Sequence, residues 1–198
     1  MAKIVLISSL ALLLAAGAVY RYGRTGYETA EYRVLVDDSP FQLRQYSELQ
    51  LVTTPMERWD AEQDGSFMRL FRYISGDNDS GRKISMTTPV FMSRESEAGR
   101  MSFVVPREVA ARGAPAALNP DIKVETMASG RFAAIRFSGR RTPKALSAAM
   151  RRLEGWIEEK GWQKRGSPLV AGYDPPFIPP PLRRNEVLYR IEDGQAAR

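Results

Sequence analysis

The 198-residue chain contains no histidine and no cysteine. That removes disulfides, thiolate nucleophiles, the usual zinc ligand sets and Ser-His triads together. The segment closest in type to an ion-binding loop is Gly76-Asp77-Asn78-Asp79-Ser80-Gly81, followed by Arg82-Lys83. It fails as a phosphate loop, because Arg82 and Lys83 stand where a Lys-Ser/Thr pair is required and two aspartates would repel phosphate. It fails as a calcium loop as well: counted from Asp77, the twelfth position is Thr88 and not a bidentate Glu. The carboxylate pair Glu158-Glu159 falls on the outer side of a helical pattern and reads as solvated. No nucleophile elbow, general base or metal cluster is visible. The expectation is therefore no catalytic residues, no protein-held metal, and a function other than catalysis.

The elements around that loop are legible. Phe67, Leu70, Phe71 and Ile74 recur at i, i+3, i+4 and i+7, which predicts a helix with one apolar face, flanked by Arg69, Arg72 and Tyr73. Gly76 ends it. Ile84, Met86, Val90 and Phe91 then predict a buried strand, with Pro89 marking a bulge or sheet edge. A second stretch, Tyr173 to Leu182, is apolar and carries five prolines. Phe177, Ile178 and Leu182 would be unfavourable in water at ~25 cal/mol per Å² unless they cover something. That loop is either a lid on the core or one wall of a ligand cleft.

Composition bounds the rest. An apolar fraction of 43% and a mean hydropathy of −0.34 describe a folded globule of one domain plus an appendage. The net charge of +6 permits anionic partners, but Lys and Arg are spread along the chain among 23 acids, so nucleic acid is not the expected partner. Residues 1–26 read as a targeting segment. Lys3 precedes the uncharged run Ile4 to Tyr20, which as a helix would extend ~25 Å against a hydrocarbon core of ~30 Å. Ala16-Gly17-Ala18 supplies a small-x-small cleavage site. A signal peptide or a retained membrane anchor over residues 4–20 is expected, with the remainder, residues 27–198, exported to a periplasmic or extracellular space.

Residues 122–192 replay the plan of residues 41–105. Phe41 to Arg44 and Leu49 to Thr54 correspond to Ile122 to Glu125 and Arg131 to Phe137. The helix at Phe67, Phe71 and Ile74 corresponds to Leu146, Met150 and Leu153, where Thr142 caps, Pro143 suits the first turn and Gly161 stops the helix. Gly155 within it suggests either close packing or a tolerated defect. Gly99 to Asn119, beyond the strand Met101 to Val105, connects the copies. A duplicated β-β-α-β-β unit predicts an α+β fold: a distorted antiparallel β-barrel or curved sheet with two flanking helices.

Two blocks carry a family resemblance. Phe67, Leu70, Tyr73, Ile74, Gly76, Asn78, Lys83, Ile84 and Met86-Thr87-Thr88-Pro89-Val90 resemble the F..L..YI.G.N....KI.MT.PV signature of the SOUL haem-binding proteins. Gly172-Tyr173-Asp174-Pro175-Pro176-Phe177 and Arg183-Arg184-Asn185-Glu186-Val187 resemble that family's C-terminal GYDPP…RRNEV. The resemblance implies the same barrel-like fold, similar to bacterial drug-sensing effector domains. It also implies a tetrapyrrole site between the first helix and the proline-rich loop. Carried over by position, the helix gives Phe67, Met68, Phe71 and Arg72, with Arg72 suited to a haem propionate, and the loop gives Tyr173, Phe177 and Ile178. Arg69 is a second candidate for the carboxylates.

With no His or Cys, haem would be held without a strong axial ligand. Met68, Met86 and Tyr173 are the weak candidates, each first a packing residue. The expected function is non-enzymatic binding of haem or another planar, acidic, hydrophobic ligand. The alternatives are a protein-interaction or scaffold domain with vestigial haem binding, and a tetrapyrrole-modifying enzyme.

Overall fold

The structure, a computed structural model, describes residues 26–57, 64–95 and 98–192. The expected targeting segment, Gly26 apart, lies outside the described residues, as do residues 58–63, 96–97 and 193–198. The strands in chain order are β1 (Glu28–Thr29), β2 (Tyr32–Asp38), β3 (Phe41–Tyr46), β4 (Leu49–Met56), β5 (Thr87–Thr88), β6 (Val90–Glu95), β7 (Ala98–Val104), β8 (Lys123–Met127), β9 (Gly130–Phe137), β10 (Lys164–Gly172) and β11 (Asn185–Ile191). The helices are α1 (Ser66–Ile74), α2 (Arg107–Arg112) and α3 (Pro143–Glu159). None of the described helices is long and apolar enough to cross a membrane.

Nine strands form one antiparallel sheet in the order β2-β3-β9-β11-β10-β6-β7-β4-β8. The fold is α+β, as expected, but the sheet is open and not a closed barrel: β2 and β8 are its edges and do not pair. Two short links nevertheless force strong curvature. Ser47-Glu48 joins β3 to β4, six places apart in the order, and Ala128-Ser129 joins β8 to β9. The ends of distant strands therefore meet at a corner, as in a barrel with a large shear. From β3 to β8 the order has a further regularity. Exchanging β3 with β8, β4 with β9, β6 with β10 and β7 with β11 returns the same sequence of strands read backwards.

Alternation along the strands makes two faces. One is covered by α1, packed on β4 and β7, and by α3, packed on β9 and β11. Its core joins Leu70, Tyr73 and Ile74 of α1 and Leu146, Leu153, Trp156 and Ile157 of α3 to Phe103, Ile135, Val170 and Val187 of the sheet. The other face carries no helix and buries its residues against one another inside the curl: Tyr46, Phe91, Val104, Phe132, Tyr173 and Leu188.

Local chemistry accounts for the helix ends. The Thr142 hydroxyl accepts from the Ala145 N–H at 3.2 Å, and Gly161, at φ 68°, closes α3. Gly155 is exposed, and a methyl group added to it would meet nothing within 4 Å, so it is a tolerated defect and not a close contact. At α1, the Asp64 carboxylate accepts from the Ser66 N–H at 3.0 Å and from the Ser66 hydroxyl, and Gly65 takes φ 80°. The buried face of α1 differs from the expected one. It consists of Ser66, Leu70, Tyr73 and Ile74, while Phe67 and Phe71 stand 41% and 42% exposed. Tyr73, expected on a flank, is fully buried because its hydroxyl reaches the Pro115 carbonyl at 2.7 Å. Turning that ring inward rotates the two phenylalanines outward.

Two elements, α2 and β1, have no counterpart in the sequence expectations. The short helix α2 lies in the connection between the expected copies, where Val109 plugs into the core. The two-residue parallel pair β1-β5 ties the front of the chain to Thr87 and Thr88. The buried strand expected across Ile84, Met86, Val90 and Phe91 is broken: Ile84 and Met86 precede β5, and Pro89 separates β5 from β6.

Candidate functional site

Asn78 sets the loop that follows α1. Its amide nitrogen donates to the Tyr73 and Arg82 carbonyls at 2.9 and 2.8 Å. Its amide oxygen accepts from the Ser80 and Arg82 N–H groups and from the Ser80 hydroxyl. The loop that resembles an ion site is thus closed by one buried asparagine, and among the described residues no group of three or more potential metal ligands exists.

The outward surface of α1 is aromatic. The Phe67 and Phe71 rings stack with centroids 6.1 Å apart and planes at 13°, and the edge of Phe67 meets Phe103 of β7 at 5.2 Å. Met68, 48% exposed, extends this surface, and Arg72 is exposed beside it with no side-chain partner among the described residues. Arg69 is committed elsewhere: Nε donates to the Thr54 hydroxyl at 3.0 Å and the guanidinium also reaches the Pro55 carbonyl, so it fastens α1 to β4.

The proline-rich loop begins at Gly172. Strand register places Gly172 opposite Val90, and Val90 opposite Phe103. Two strand spacings of ~4.8 Å put the start of the loop ~10 Å from the backbone of Phe103, whose ring supports Phe67. The three loop residues expected at the site diverge from there. Phe177 is 65% exposed. Ile178 is buried, with its carbonyl accepting from Arg183 Nε at 2.7 Å, and acts as the loop's internal anchor. Tyr173 follows Gly172, so alternation sends it through to the helix-free face, away from Phe67 and Phe71.

On that inner face Tyr173 joins a buried polar cluster. Its hydroxyl donates to Glu186 Oε2 at 2.9 Å, and the Arg184 guanidinium lies 3.8 Å above its ring. Arg44 donates two bonds to the Glu186 carboxylate and stacks over Tyr32 at 4.2 Å. Arg184 donates to Glu186 Oε1 at 3.0 Å. Burial alone would raise the Glu186 carboxyl, but Arg44 and Arg184 hold it below its ordinary value. Burial pushes the Tyr46 phenol up to about 12, and burial with the Glu186 charge raises Tyr173 well above 10. The Tyr173 hydroxyl is thus committed to Glu186 on the helix-free face. Met86 is half-buried against the helix-side core, and Met68 alone of the three candidates faces outward.

One residue near the start of the loop has no sequence signal. Arg141, half-buried just before α3, lays its guanidinium over Gly172 and donates from Nη1 to Asn185 Oδ1 at 3.2 Å. The Asn185 amide is held in turn by donating to the Gly139 carbonyl at 2.9 Å. Arg141 follows Arg140 in a run that reads as a solvated turn; only its position against a glycine 31 residues later in the chain distinguishes it.

Comparison with known proteins adds the family and the fold. The family model described as SOUL heme-binding protein matches residues 27–190. No curated protein matches the chain. Among solved structures, the EcmrR C-terminal domain is similar with a TM-score of 0.59 at 13% identity, over 82% of this chain and 99% of that one. EcmrR in a complex with DNA gives 0.58 at 13% identity, over 95% and 68%. A hydrolase from Listeria innocua gives 0.56 at 10% identity, over 80% and 94%. At these identities the likeness concerns the fold alone.

Proposed function

Since the chain belongs to the SOUL heme-binding protein family, we propose that it binds haem or a related tetrapyrrole without transforming it. The observation that carries this reading is the stacked pair Phe67 and Phe71, which the core does not need and water does not favour. A flat macrocycle laid against these rings, with Met68 beside them, would gain apolar burial and offset-stacked contact. Arg72 sits where a carboxylate at the macrocycle's edge would reach it. Phe177 closes the far side of the cleft in this reading, while Ile178 and Tyr173 hold the loop in place from beneath.

The residues present suit the periphery of a haem better than its iron. With Tyr173 committed and no His or Cys in the chain, affinity comes from the ring faces and the acid groups. The test is titration of the full chain with haemin. Saturable tryptophan quenching with a Soret shift at micromolar haemin, weakened by Phe71→Ala and by Phe177→Ala, supports the cleft. Binding that neither substitution changes overturns it.

The exposed Phe177 and Leu182 favour a second reading, in which the loop docks a protein partner and haem binding is vestigial. Haemin binding that is saturable and sensitive to Phe71→Ala separates the two. We further propose that residues 1–26 direct export and that cleavage follows Ala18 or the segment remains as an anchor. Mass spectrometry of the N-terminus of protein recovered from cells distinguishes these. Nucleic acid is not part of the proposal, because the basic residues are dispersed. Duplication of a β-β-α-β-β unit is our account of the reversible strand order.

A further inference from the structure

We propose that the proline-rich loop, with Arg140 and Lys144 beside it, is the surface by which the chain docks on an anionic lipid bilayer. The inference goes beyond the tetrapyrrole reading and does not rest on it.

The loop is built to present apolar side chains. Phe177 and Leu182 stand 65% and 45% exposed, with Pro176, Pro179 and Pro181 exposed among them. A brace holds them out. Arg183 donates from Nε to the Ile178 carbonyl at 2.7 Å and from Nη2 to the Pro176 carbonyl at 2.6 Å, and the Ile178 side chain is buried beneath. Five of the residues from Tyr173 to Leu182 are prolines and bring no N–H. The Tyr173, Ile178 and Leu182 N–H groups donate to the Arg184, Pro175 and Pro179 carbonyls. Few backbone donors would have to be stripped of water, which is the condition for a loop to enter the interfacial layer of a bilayer. A protein partner makes no such demand, because it can supply acceptors of its own.

Charge selects the kind of lipid. The Gly139 N–H donates to the Pro180 carbonyl at 2.9 Å, which fastens the turn before α3 to the loop. Arg140 follows directly, and Lys144 lies in the first turn of α3. Both are exposed, and neither has a side-chain partner among the described residues. No acid stands in that first turn, so the two cations sit at the positive end of the helix dipole, where an external anion is favourable. Asp174, the one carboxylate of the loop, is half-buried and accepts from the Arg184 N–H. Apolar tips rimmed by cations match the headgroup layer of an anionic membrane.

The chain ahead of the described residues leads to the same place. The loop begins at Gly172, opposite Val90, and Pro89 alone separates Val90 from β5, which pairs with β1. Arg21 to Thr25 join the uncharged run ending at Tyr20 to Gly26, and five residues span at most ~18 Å. A run from Ile4 to Tyr20 retained in a bilayer would keep this end of the sheet close to its surface.

The chain has no cysteine, so Pro181→Cys in the loop and Gln163→Cys, exposed just before the far end of β10, each accept one fluorophore. Each labelled full chain is mixed with vesicles carrying a lipid-borne quencher, made either of equal parts phosphatidylglycerol and phosphatidylcholine or of phosphatidylcholine alone. On the anionic vesicles the expected result is at least twofold quenching at position 181 and none at 163. Phosphatidylcholine alone, Arg140→Glu with Lys144→Glu, and Phe177→Ser with Leu182→Ser should each reduce the quenching at 181 by half or more. All four substituted positions are exposed, and matching thermal melts exclude misfolding. Equal quenching at 163 and 181 overturns the proposal, since the leader alone would then bring the protein to the vesicle. No quenching at 181 on anionic vesicles overturns it as well, and is the outcome expected of a loop reserved for a protein partner. Quenching that neither the charge reversals nor the change of lipid alters overturns the role of Arg140 and Lys144.

Discussion

The Arg44 guanidinium grips the Glu186 carboxylate with two bonds, Nη1 to Oε2 at 2.5 Å and Nη2 to Oε1 at 3.1 Å, and both side chains are sealed from solvent inside the curled sheet. Removing one partner strands the other charge. Glu186→Gln should destabilise the fold by about 3–5 kcal/mol at neutral pH, and replacing Arg44 and Glu186 together with apolar residues should recover only part of that loss, because Tyr173 and Arg184 still lose their acceptor. Urea denaturation of these variants beside the unsubstituted protein measures it.

The same pair sets an acid limit. The folded Glu186 carboxyl titrates below its unfolded value of 4.5. Its contribution to stability is therefore complete above pH 4.5 and is lost as pH falls through the lower folded value. Unfolding free energy should drop over that interval in the unsubstituted protein, and the drop should be shallower in Glu186→Gln. Equal slopes in the two proteins would show that other carboxylates govern acid denaturation.

Phe71 and Leu70 are neighbours on α1 with opposite expectations. Phe71→Ala, at a half-exposed site, should change stability by about 1 kcal/mol or less and weaken haemin binding tenfold or more. Leu70→Ala, fully buried, should cost about 2–5 kcal/mol. Thermal melts run beside haemin titrations separate the two effects.

Asn78 makes five hydrogen bonds from a side chain only 3% exposed. Asn78→Ala leaves the Tyr73 and Arg82 carbonyls without their donor and should cost about 3 kcal/mol. Asn78→Asp keeps the acceptor half of the network but not the donor half, so in chemical denaturation it should fall between Asn78→Ala and the unsubstituted protein. Calcium added to any of these proteins should leave their stability unchanged.

Iron-free protoporphyrin should bind as well as haemin, within about threefold or ~0.7 kcal/mol. A preference for haemin of a hundredfold or more would reveal an axial bond. Met68→Ala and Met86→Ala would then show whether a thioether supplies it.

Most strands and both long helices were legible from alternation, helical spacing and capping residues such as Thr142 and Gly161, and the two signature blocks pointed to the family. The orientation of α1 was not. Phe67-Phe71-Ile74 and Ser66-Leu70-Tyr73-Ile74 are overlapping stripes on one helix, and hydrophobicity favours the first. The second is buried because Asp64 draws Ser66 in and Pro115 receives the Tyr73 hydroxyl, contacts that hydropathy does not encode. The two-residue β1 falls below any periodic signal. Loop residues Tyr173, Phe177 and Ile178 read alike as apolar in sequence, yet strand alternation and loop anchoring send them to three different environments. Arg141 was invisible for a related reason: its meaning lies in a glycine on another strand.

The two-residue links at the corner have an outcome for assembly. Because β3 lies against β9 and β8 has only β4 beside it, a chain cut between β7 and β8 yields two pieces, neither of which holds a complete sheet. The rear piece would carry β8 with no strand to pair with, and the front piece would leave one side of β3 bare. The two should be inert apart and reconstitute when mixed, which makes that joint a ready-made split point for a complementation reporter.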